Sequence, residues 1–341
     1  MIATTPADGG SALARTTVSV DFGVPMRRAT LIAQPSPGPC TGSIQVSADD
    51  FASCAGFAEP TPTMTSQGTT ATLTPQPGLL VGRTYKVRVT TTATGVNGFP
   101  LAATYTSAVG FDTTMPSTFD WRNVDGRDFT TSARNEGACG APWAFAPLDA
   151  MQAIWKIERN DSTTNRYFSA QELVSCSGQS GCNGGWPYAA MGFMMSPGVV
   201  DEACYPYSVN GVGSCNNSMA CPGTGTWSPV TITGRLTLTS PSVTDIEKAV
   251  YTYGPVVAIF DLYTDFFSYT GGVYYHQTGT YVTGHVVAIV GWGTDATTGD
   301  YWICENCWGT GWGETGFFRI RRGTNECHIE NSIFVITGVS L

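Results

Sequence analysis

His285 is the first residue of interest, because it is one of only three histidines and lies in an apolar run, Gly-His-Val-Val, over residues 284–287. An imidazole can take and return a proton during nucleophilic catalysis, provided that a nucleophile and an orienting group accompany it. The alternative is an ordinary core histidine on an apolar strand. The sequence Asn-x-Trp at residues 306–308 favours the catalytic interpretation.

Residues 135–145 should supply the nucleophile, and they read Asn-Glu-Gly-Ala-Cys-Gly-Ala-Pro-Trp-Ala-Phe. This segment resembles the nucleophile segment of papain-like cysteine proteases, whose core is Cys-Gly-[Ser/Ala]-Cys-[Trp/Tyr]. Cys139 matches the disulfide-forming cysteine of that motif. Pro142 stands at the position of the catalytic thiol, with His285 at the expected distance downstream.

The resemblance continues from residue 119 to the end and covers about two thirds of the chain. The matching segments are residues 119–122, 172–176, 181–185, 254–256, 284–287 and 305–314. Within the family, cathepsin C is the most similar, through residues 121–126, 200–207, 274–279 and 318–327. The N-terminal region does not resemble the exclusion domain of that enzyme, so its dipeptidyl peptidase specificity is not expected here.

The resemblance assigns a role to each site residue. His285 stands at the general-base position, Asn306 orients the imidazole, and Trp308 shields their hydrogen bond from water. Gly184 and Gly185 form a wall of the substrate cleft. In this family the oxyanion hole consists of the nucleophile residue's own amide and the side-chain amide of a glutamine six residues upstream, where this chain has Glu136.

Pro142 and Glu136 therefore predict lost or severely impaired activity. Proline has neither a nucleophile nor a backbone N–H, and an ionised glutamate accepts hydrogen bonds but donates none. Proline is tolerated at the first position of the family's central helix. Pro147, five residues later, predicts a local kink or a delayed helix start.

Four disulfides are expected, three of them from the resemblance. The resemblance implies the pairs Cys139–Cys182, Cys176–Cys215 and Cys204–Cys221. Cys40 and Cys54 are alone in the N-terminal region and are expected to pair, the alternative being two separate thiols. Cys304, Cys307 and Cys327 remain. Strand alternation would point Cys307 away from the cleft if Asn306 faces it, and a redox or alternative nucleophilic role for these thiols is the minor alternative.

The fold class predicted is α+β: a two-lobed papain-like fold, with a helical lobe and a β-barrel-like lobe, after an all-β Ig-like sandwich. Alternating runs at residues 17–22, 43–46, 70–74 and 85–90, with Gly and Pro between them, predict the sandwich. It resembles bacterial-type Ig-like modules. We expect the sandwich to span residues 1–113 and the protease-like domain to span residues 114–341.

Composition limits the partners. The chain has 17 Lys and Arg against 26 Asp and Glu, a net charge of −9, which disfavours nucleic acid and anionic membranes. No apolar run is long enough to span a bilayer. We expect neither a metal nor a cofactor, since the few histidines and paired cysteines leave no ligand set. Eleven cysteines indicate a secreted, lysosome-like or other oxidising compartment, although residues 1–10 show no signal peptide.

Three functions are consistent with these observations. The first is a pseudopeptidase whose cleft binds a peptide or protein ligand. The second is an active thiol endopeptidase or exopeptidase, in which the nucleophile has been replaced in this sequence or another cysteine serves; a protonated Glu136 would then donate at acid pH. The third is adhesion through the Ig-like module, which would bind a protein partner.

Overall fold

The computed structural model describes residues 2–76, 78–208, 213–216, 221 and 228–340. The chain divides into two compact units, Met1–Pro116 and Ser117–Leu341. Among the described residues, no helix is long and apolar enough to cross a membrane.

The first unit contains two β-sheets. One has the order β1-β3-β6-β5, and the other has the order β2-β9-β7-β4 with β8 also paired to β7. All pairs are antiparallel except β2 with β9. The strands are β1 Ala3–Thr5, β2 Ser11–Leu13, β3 Val18–Asp21, β4 Ile44–Ser47, β5 Thr63–Met64, β6 Thr70–Leu73, β7 Thr84–Val89, β8 Tyr105–Thr106 and β9 Phe111–Thr114.

Alternation along these strands builds the core of the first unit. Val18 and Val20 of β3 are fully buried, whereas Ser19 between them is half-buried and bonds to Thr72. Val87 and Val89 of β7 are buried in the same way. Period-two burial of Val and half-exposure of Thr and Ser is the pattern that two packed sheets require. The all-β prediction for this region is confirmed.

The second unit is α+β, also as predicted. Its main sheet runs β11-β17-β12-β14-β15-β16-β13, and β10 pairs with the end of β14. The strands are β10 Phe119–Asp120, β11 Ile232–Thr239, β12 Val256–Tyr263, β13 Val273–Tyr274, β14 Tyr281–Asp295, β15 Gly299–Glu305, β16 Phe317–Arg321 and β17 Ser332–Val339. The helices are α1 Pro142–Glu158, α2 Ala170–Cys176, α3 Pro187–Met195 and α4 Val243–Tyr253.

Helix α1 is buried on nearly every side, because its sequence carries apolar residues all round. It packs against strands β14 and β17 and against α3. Of the two alternatives predicted for Pro147, the delayed start is wrong, because the helix begins at Pro142 and runs through Pro147 to Glu158. The local kink stays a prediction. Pro147 removes one intrahelical hydrogen bond, because proline has no N–H to donate.

Helices α2 and α4 begin at side-chain caps, whereas α3 begins with Pro187 and has no side-chain cap. The Ser169 hydroxyl accepts from the N–H of Glu172 at the start of α2, and Ser242 and Asp245 form a capping box at the start of α4.

The four disulfides of the structure join the pairs that the sequence predicts. Cys40–Cys54 lies in the first unit, and the second unit holds Cys139–Cys182, Cys176–Cys215 and Cys204–Cys221. Cys304 and Cys307 are free and buried, and Cys327 is free and half-buried. Four disulfides fit an oxidising compartment.

Candidate active-site cleft

Most of the residues singled out in the sequence line one cleft of about 460 Å³. Pro142 at the start of α1 and Gly184 and Gly185 lie on one side, and His285 of β14 and Trp308 lie on the other. The remaining lining residues are Glu136, Gly140, Trp143, Cys182, Asn183, Leu262, Phe267, Val282, Thr283, Gly284 and Val286. Asn306 is buried next to the cleft without lining it.

Strand pairing brings His285 and Asn306 together. His285 lies on β14 opposite Phe260 of β12, and its ring packs edge-on against that phenyl ring at 5.7 Å. β15 pairs with β14 on the other side and ends at Glu305, so the next residue, Asn306, lies beside the histidine strand. The Asn306 Oδ1 atom accepts a hydrogen bond from His285 Nε2 at 2.8 Å.

Asn306 determines which nitrogen of the neutral imidazole carries the proton. Its Oδ1 also accepts from the Cys307 N–H at 2.9 Å, which identifies that atom as the carbonyl oxygen. His285 Nε2 must therefore carry the proton, and in the neutral ring Nδ1 is left as an acceptor. Burial lowers the pKa of His285 to about 4, although the bond to Asn306 raises it. The imidazole is neutral throughout the physiological range, with a lone pair on Nδ1.

Trp308 contacts His285 and Glu136. Its ring centroid is 5.1 Å from that of His285, a position suited to the shielding role that the sequence predicts. The structure adds a second contact, because Trp308 Nε1 donates to Glu136 Oε1 at 3.0 Å.

Pro142 occupies the first position of α1, and the loop before it is held from two sides. Asn135 pairs with Trp308 as an antiparallel bridge, and Gly140 pairs with Asn183 as a parallel bridge beside the Cys139–Cys182 disulfide. These contacts place the helix N-terminus in the cleft. No thiol or hydroxyl stands at this point of the chain, because residue 142 is proline.

Glu136 is buried at the cleft, with only 5% of its surface exposed. Its Oε2 accepts from the Ala141 N–H at 2.6 Å, and its Oε1 accepts from Trp308. Its backbone carbonyl accepts from the Tyr207 hydroxyl at 2.9 Å. Burial raises the pKa of Glu136 to about 7, although the Ala141 and Trp308 donors act to lower it. The side chain thus uses a backbone N–H at the helix start as its own partner.

Cys307 was expected to point away from the cleft, and it does not line the cleft. Its thiol is nevertheless close enough to the Glu136 carboxylate for each group to shift the pKa of the other, a contact that sequence reasoning missed. Burial and the neighbouring carboxylate raise the pKa of Cys307 well above its ordinary value, so the sulfur stays a thiol. The alternation rule alone could not find this contact, because Asn306 and Cys307 lie just beyond the end of β15, where the strand geometry no longer applies.

The wall of the cleft formed by Gly184 and Gly185 requires glycine at both positions. A Cβ atom on Gly185 would overlap the indole ring of Trp143, and Gly184 adopts φ +103°, a left-handed backbone conformation. Side chains are therefore excluded from this wall, which leaves its backbone accessible from the cleft. Within the described ranges, no three His, Cys, Asp or Glu side chains are arranged to hold a metal ion.

Comparison with known proteins identifies a family for each part of the chain. The family described as papain family cysteine protease matches residues 115–337, which is most of the chain. The chain belongs to the papain family of cysteine proteases. Residues 1–113 match the bacterial Ig-like domain family.

Papain-family relatives at about one-third identity include cathepsin B-like proteins. Cathepsin B-like cysteine proteinase 3 of Caenorhabditis elegans is 36% identical over 254 residues, covering 66% of this chain and 66% of that protein. Cathepsin B-like protease 1 of Arabidopsis thaliana is 36% identical over 218 residues, covering 58% and 55%. The match thus spans less than two thirds of each of these two relatives.

Solved structures give the same fold. A procathepsin B from Trypanosoma congolense has a TM-score of 0.59 at 30% identity, covering 66% of this chain and 78% of that one. Bromelain from Ananas comosus, in complex with the E64 inhibitor, has a TM-score of 0.55 at 29% identity, covering 65% and 99%. The nematode, plant and trypanosome relatives are named for cathepsin B rather than cathepsin C, so the particular likeness to cathepsin C stays a prediction.

Proposed function

We propose that this papain-family protein has no peptidase activity and instead binds an extended peptide in its cleft. One feature carries the proposal: by the papain-family resemblance, proline stands at the nucleophile position, and the carboxylate of Glu136 stands at the position of the oxyanion-hole donor. His285 and Asn306 keep a geometry suited to proton transfer, yet no atom lies at residue 142 to which His285 could serve as a base.

The absence of hydrogen-bond donors should lower the rate of hydrolysis further, beyond the effect of the missing nucleophile. Hydrolysis of a peptide passes through a tetrahedral intermediate whose negative oxygen must be stabilised, and one lost donor costs roughly 10²- to 10³-fold in rate. Pro142 has no N–H, and ionised Glu136 places negative charge where the oxyanion would form. Water attacking a bound peptide would be assisted by neither group.

The remainder of the cleft is suited to peptide binding. Backbone groups of Gly184 and Gly185 are accessible for pairing with an extended chain. On the opposite side, Phe267 and Val282 line the cleft with half or nearly half of their surface exposed. A groove with an accessible backbone wall and an apolar wall binds main chain and side chains of a peptide at the same time.

The test combines binding with hydrolysis. A library of blocked fluorogenic peptides is incubated with the purified full chain, and the best binders are measured by calorimetry. We expect saturable binding that Gly185→Leu abolishes, with no cleavage beyond the buffer control. Cleavage that a thiol-directed inhibitor stops would overturn the assignment as a pseudopeptidase.

A second candidate, an active peptidase with a non-standard nucleophile, is suggested by the Cys307 thiol beside Glu136. Cys307 is buried and does not line the cleft, which disfavours attack on a peptide. Hydrolysis at pH 5 that disappears in Cys307→Ser would support this candidate, because Glu136 would then be protonated and able to donate.

We also propose that residues 1–113 and 114–341 form separate domains, that the Ig-like domain binds a protein partner, and that the chain functions in an oxidising compartment. The four disulfides and the Ig-like family match support these proposals. A pull-down with the full chain, compared with a variant altered only on the surface of the first unit, tests the adhesive role.

A further inference from the structure

The cleft contains an acidic group, whereas a hydrolase of this type needs groups that stabilise a developing negative charge. Of the described residues that line it, Glu136 is the one acidic group, and neither lysine nor arginine is among them. His285 is neutral at physiological pH, because burial lowers its pKa to about 4. When Glu136 is ionised, the cleft therefore holds a net negative charge.

That carboxylate has neutral partners and spare acceptor capacity. A carboxylate offers about four lone-pair positions. The described hydrogen-bond donors to the Glu136 carboxylate are the Ala141 N–H and the Trp308 indole N–H, and the Cys307 thiol is close to it. Arg134, which is close in sequence, donates instead to Asp149 at 2.9 Å and to the Phe168 carbonyl. At least one acceptor position remains, without a compensating positive charge.

Aromatic rings lie beside this acceptor. Trp308, which donates to Glu136, stacks on Phe267 with ring centroids 5.3 Å apart and an interplanar angle of 21°. Trp143 lines the opposite wall of the cleft. A carboxylate next to aromatic faces is the combination that binds organic cations, through a charge-assisted hydrogen bond and cation–π attraction.

We propose that the cleft selects peptides carrying an ammonium or guanidinium group, which binds the Glu136 carboxylate against Trp308 and Phe267. The inference rests on the proposed peptide-binding function. The cation has two sources, a lysine or arginine side chain and a free N-terminal amine, which share the same chemistry. Substitution of the family's neutral glutamine by glutamate would thus have turned a site that stabilises an anion into one that recognises a cation.

The groups facing Glu136 set the pH range of this selectivity. They are the Cys307 thiol, the Tyr207 hydroxyl and His285, all uncharged near neutrality because burial shifts their pKa values away from 7. Glu136 itself titrates at about 7. Cation binding should therefore strengthen from pH 6 to pH 8 and release a proton at the lower pH.

The test measures the binding of three peptides to the full chain at pH 8. The peptides share one binding sequence and differ only in one side chain and at the N-terminus. The first is N-acetylated and contains one lysine, the second replaces lysine by norleucine, and the third has norleucine and a free N-terminus. Calorimetry should give at least tenfold tighter binding for one of the two cationic peptides than for the neutral peptide. Which of the two is preferred identifies the source of the cation.

Variants locate the effect. Glu136→Gln should bind all three peptides within about twofold of one another, whereas Glu59→Gln, an exposed residue of the first unit, removes the same charge and should keep the preference. Equal affinities in the parent protein, or a preference that survives in Glu136→Gln, would overturn the inference while leaving peptide binding intact. Absence of binding by all three peptides would overturn the proposed function as well.

Discussion

By the papain-family resemblance, Pro142 and Glu136 stand where the family has its two hydrogen-bond donors to the developing oxyanion, and Pro142 stands where the family has its sulfur. We propose that both differences act on the same step of the reaction. The Ala141 N–H bonds to Glu136, so the glutamate also satisfies a donor at the helix start that a ligand would otherwise meet. A revertant at position 142 alone would consequently be incomplete.

The first prediction concerns that revertant. Pro142→Cys should recover weak hydrolysis of a fluorogenic peptide, because the new thiol would meet a neutral His285 that is able to accept its proton. Adding Glu136→Gln should raise kcat/KM at least tenfold, since one donor to the oxyanion is restored. Steady-state kinetics of the two variants measure the ratio.

Glu136→Gln alone is the control and should remain inactive, because it has no nucleophile. If the double variant is no faster than Pro142→Cys, residue 136 does not contribute to an oxyanion hole and its proposed role is wrong.

The second prediction concerns stability and pH. The pKa of Glu136 is about 7 in the folded chain, against an ordinary value of 4.5, so folding favours the protonated form. Its contribution to the free energy of unfolding is complete below pH 4.5 and is lost as the pH rises through 7. The free energy of unfolding of Glu136→Gln should therefore rise by about 3 kcal/mol relative to that of the parent as the pH increases from 4.5 to 7.5.

Denaturant unfolding at a series of pH values measures this difference. A difference between parent and Glu136→Gln that does not change with pH would show that Glu136 keeps its ordinary pKa in the folded state.

The residues of the site and the His285–Asn306 hydrogen bond were predictable from the sequence, while the partners of Glu136 were not. Local motifs identified His285, Asn306 and Trp308, because each motif is short and contiguous. The bond from Trp308 to Glu136 joins residues 172 positions apart and depends on the pairing of Asn135 with Trp308 across the cleft. No local pattern encodes such a contact. The catalytic roles themselves stay predictions.

At the scale of elements, helix α1 does most to place the site, and its two prolines have different costs. Pro142 is at the first helical position, where its missing N–H has no intrahelical partner in any case. Pro147 lies one turn further in, where a donor is lost. The sequence correctly predicted that proline is tolerated at 142. Of the two alternatives for Pro147, the delayed start was wrong, because burial of α1 on nearly every side outweighs the propensity of one residue, and the local kink stays a prediction.

The third prediction follows from this contrast. Pro147→Ala should raise the free energy of unfolding by about 1 kcal/mol, less than the full interior penalty of about 3, since the buried ring is lost as well. Pro142→Ala is the matched control and should lower it by less than about 1 kcal/mol, because the unfolded chain becomes more flexible. Thermal or denaturant unfolding distinguishes the signs. Equal destabilisation in both variants would contradict this interpretation of α1.

Strands were predictable where alternation was long enough. The runs at residues 17–22, 43–46, 70–74 and 85–90 correspond to β3, β4, β6 and β7 within one or two residues at each end. The short strands β1, β2, β5 and β8 have two or three residues and carry too little alternation to be recognised. Their positions are determined by the strands with which they pair.

The whole molecule consists of two compact units with separate cores, each containing at least one disulfide. Because the Cys40–Cys54 bond closes a short loop in the first unit, it should stabilise that unit alone against unfolding. The domain boundary predicted at residues 113 and 114 stays a prediction, although the compact units divide close to it, at Pro116 and Ser117.

The fourth prediction uses this confinement. Calorimetry of the full chain should show two unfolding transitions, and the double variant Cys40→Ala with Cys54→Ala should destabilise only one of them, by about 3 kcal/mol for a loop of this length. The matched double variant at Cys204 and Cys221 should shift only the other transition. A single transition that both variants shift equally would show that the units unfold together.

The central claim, that no nucleophile acts in this cleft, is tested most directly by intact-mass measurement after incubation with a peptidyl epoxide that alkylates catalytic thiols. Pro142→Cys with Glu136→Gln serves as the positive control and should gain one adduct at residue 142. The native chain should gain no adduct whose formation a cleft-binding peptide prevents. A stoichiometric, peptide-protected adduct on the native chain would contradict the claim.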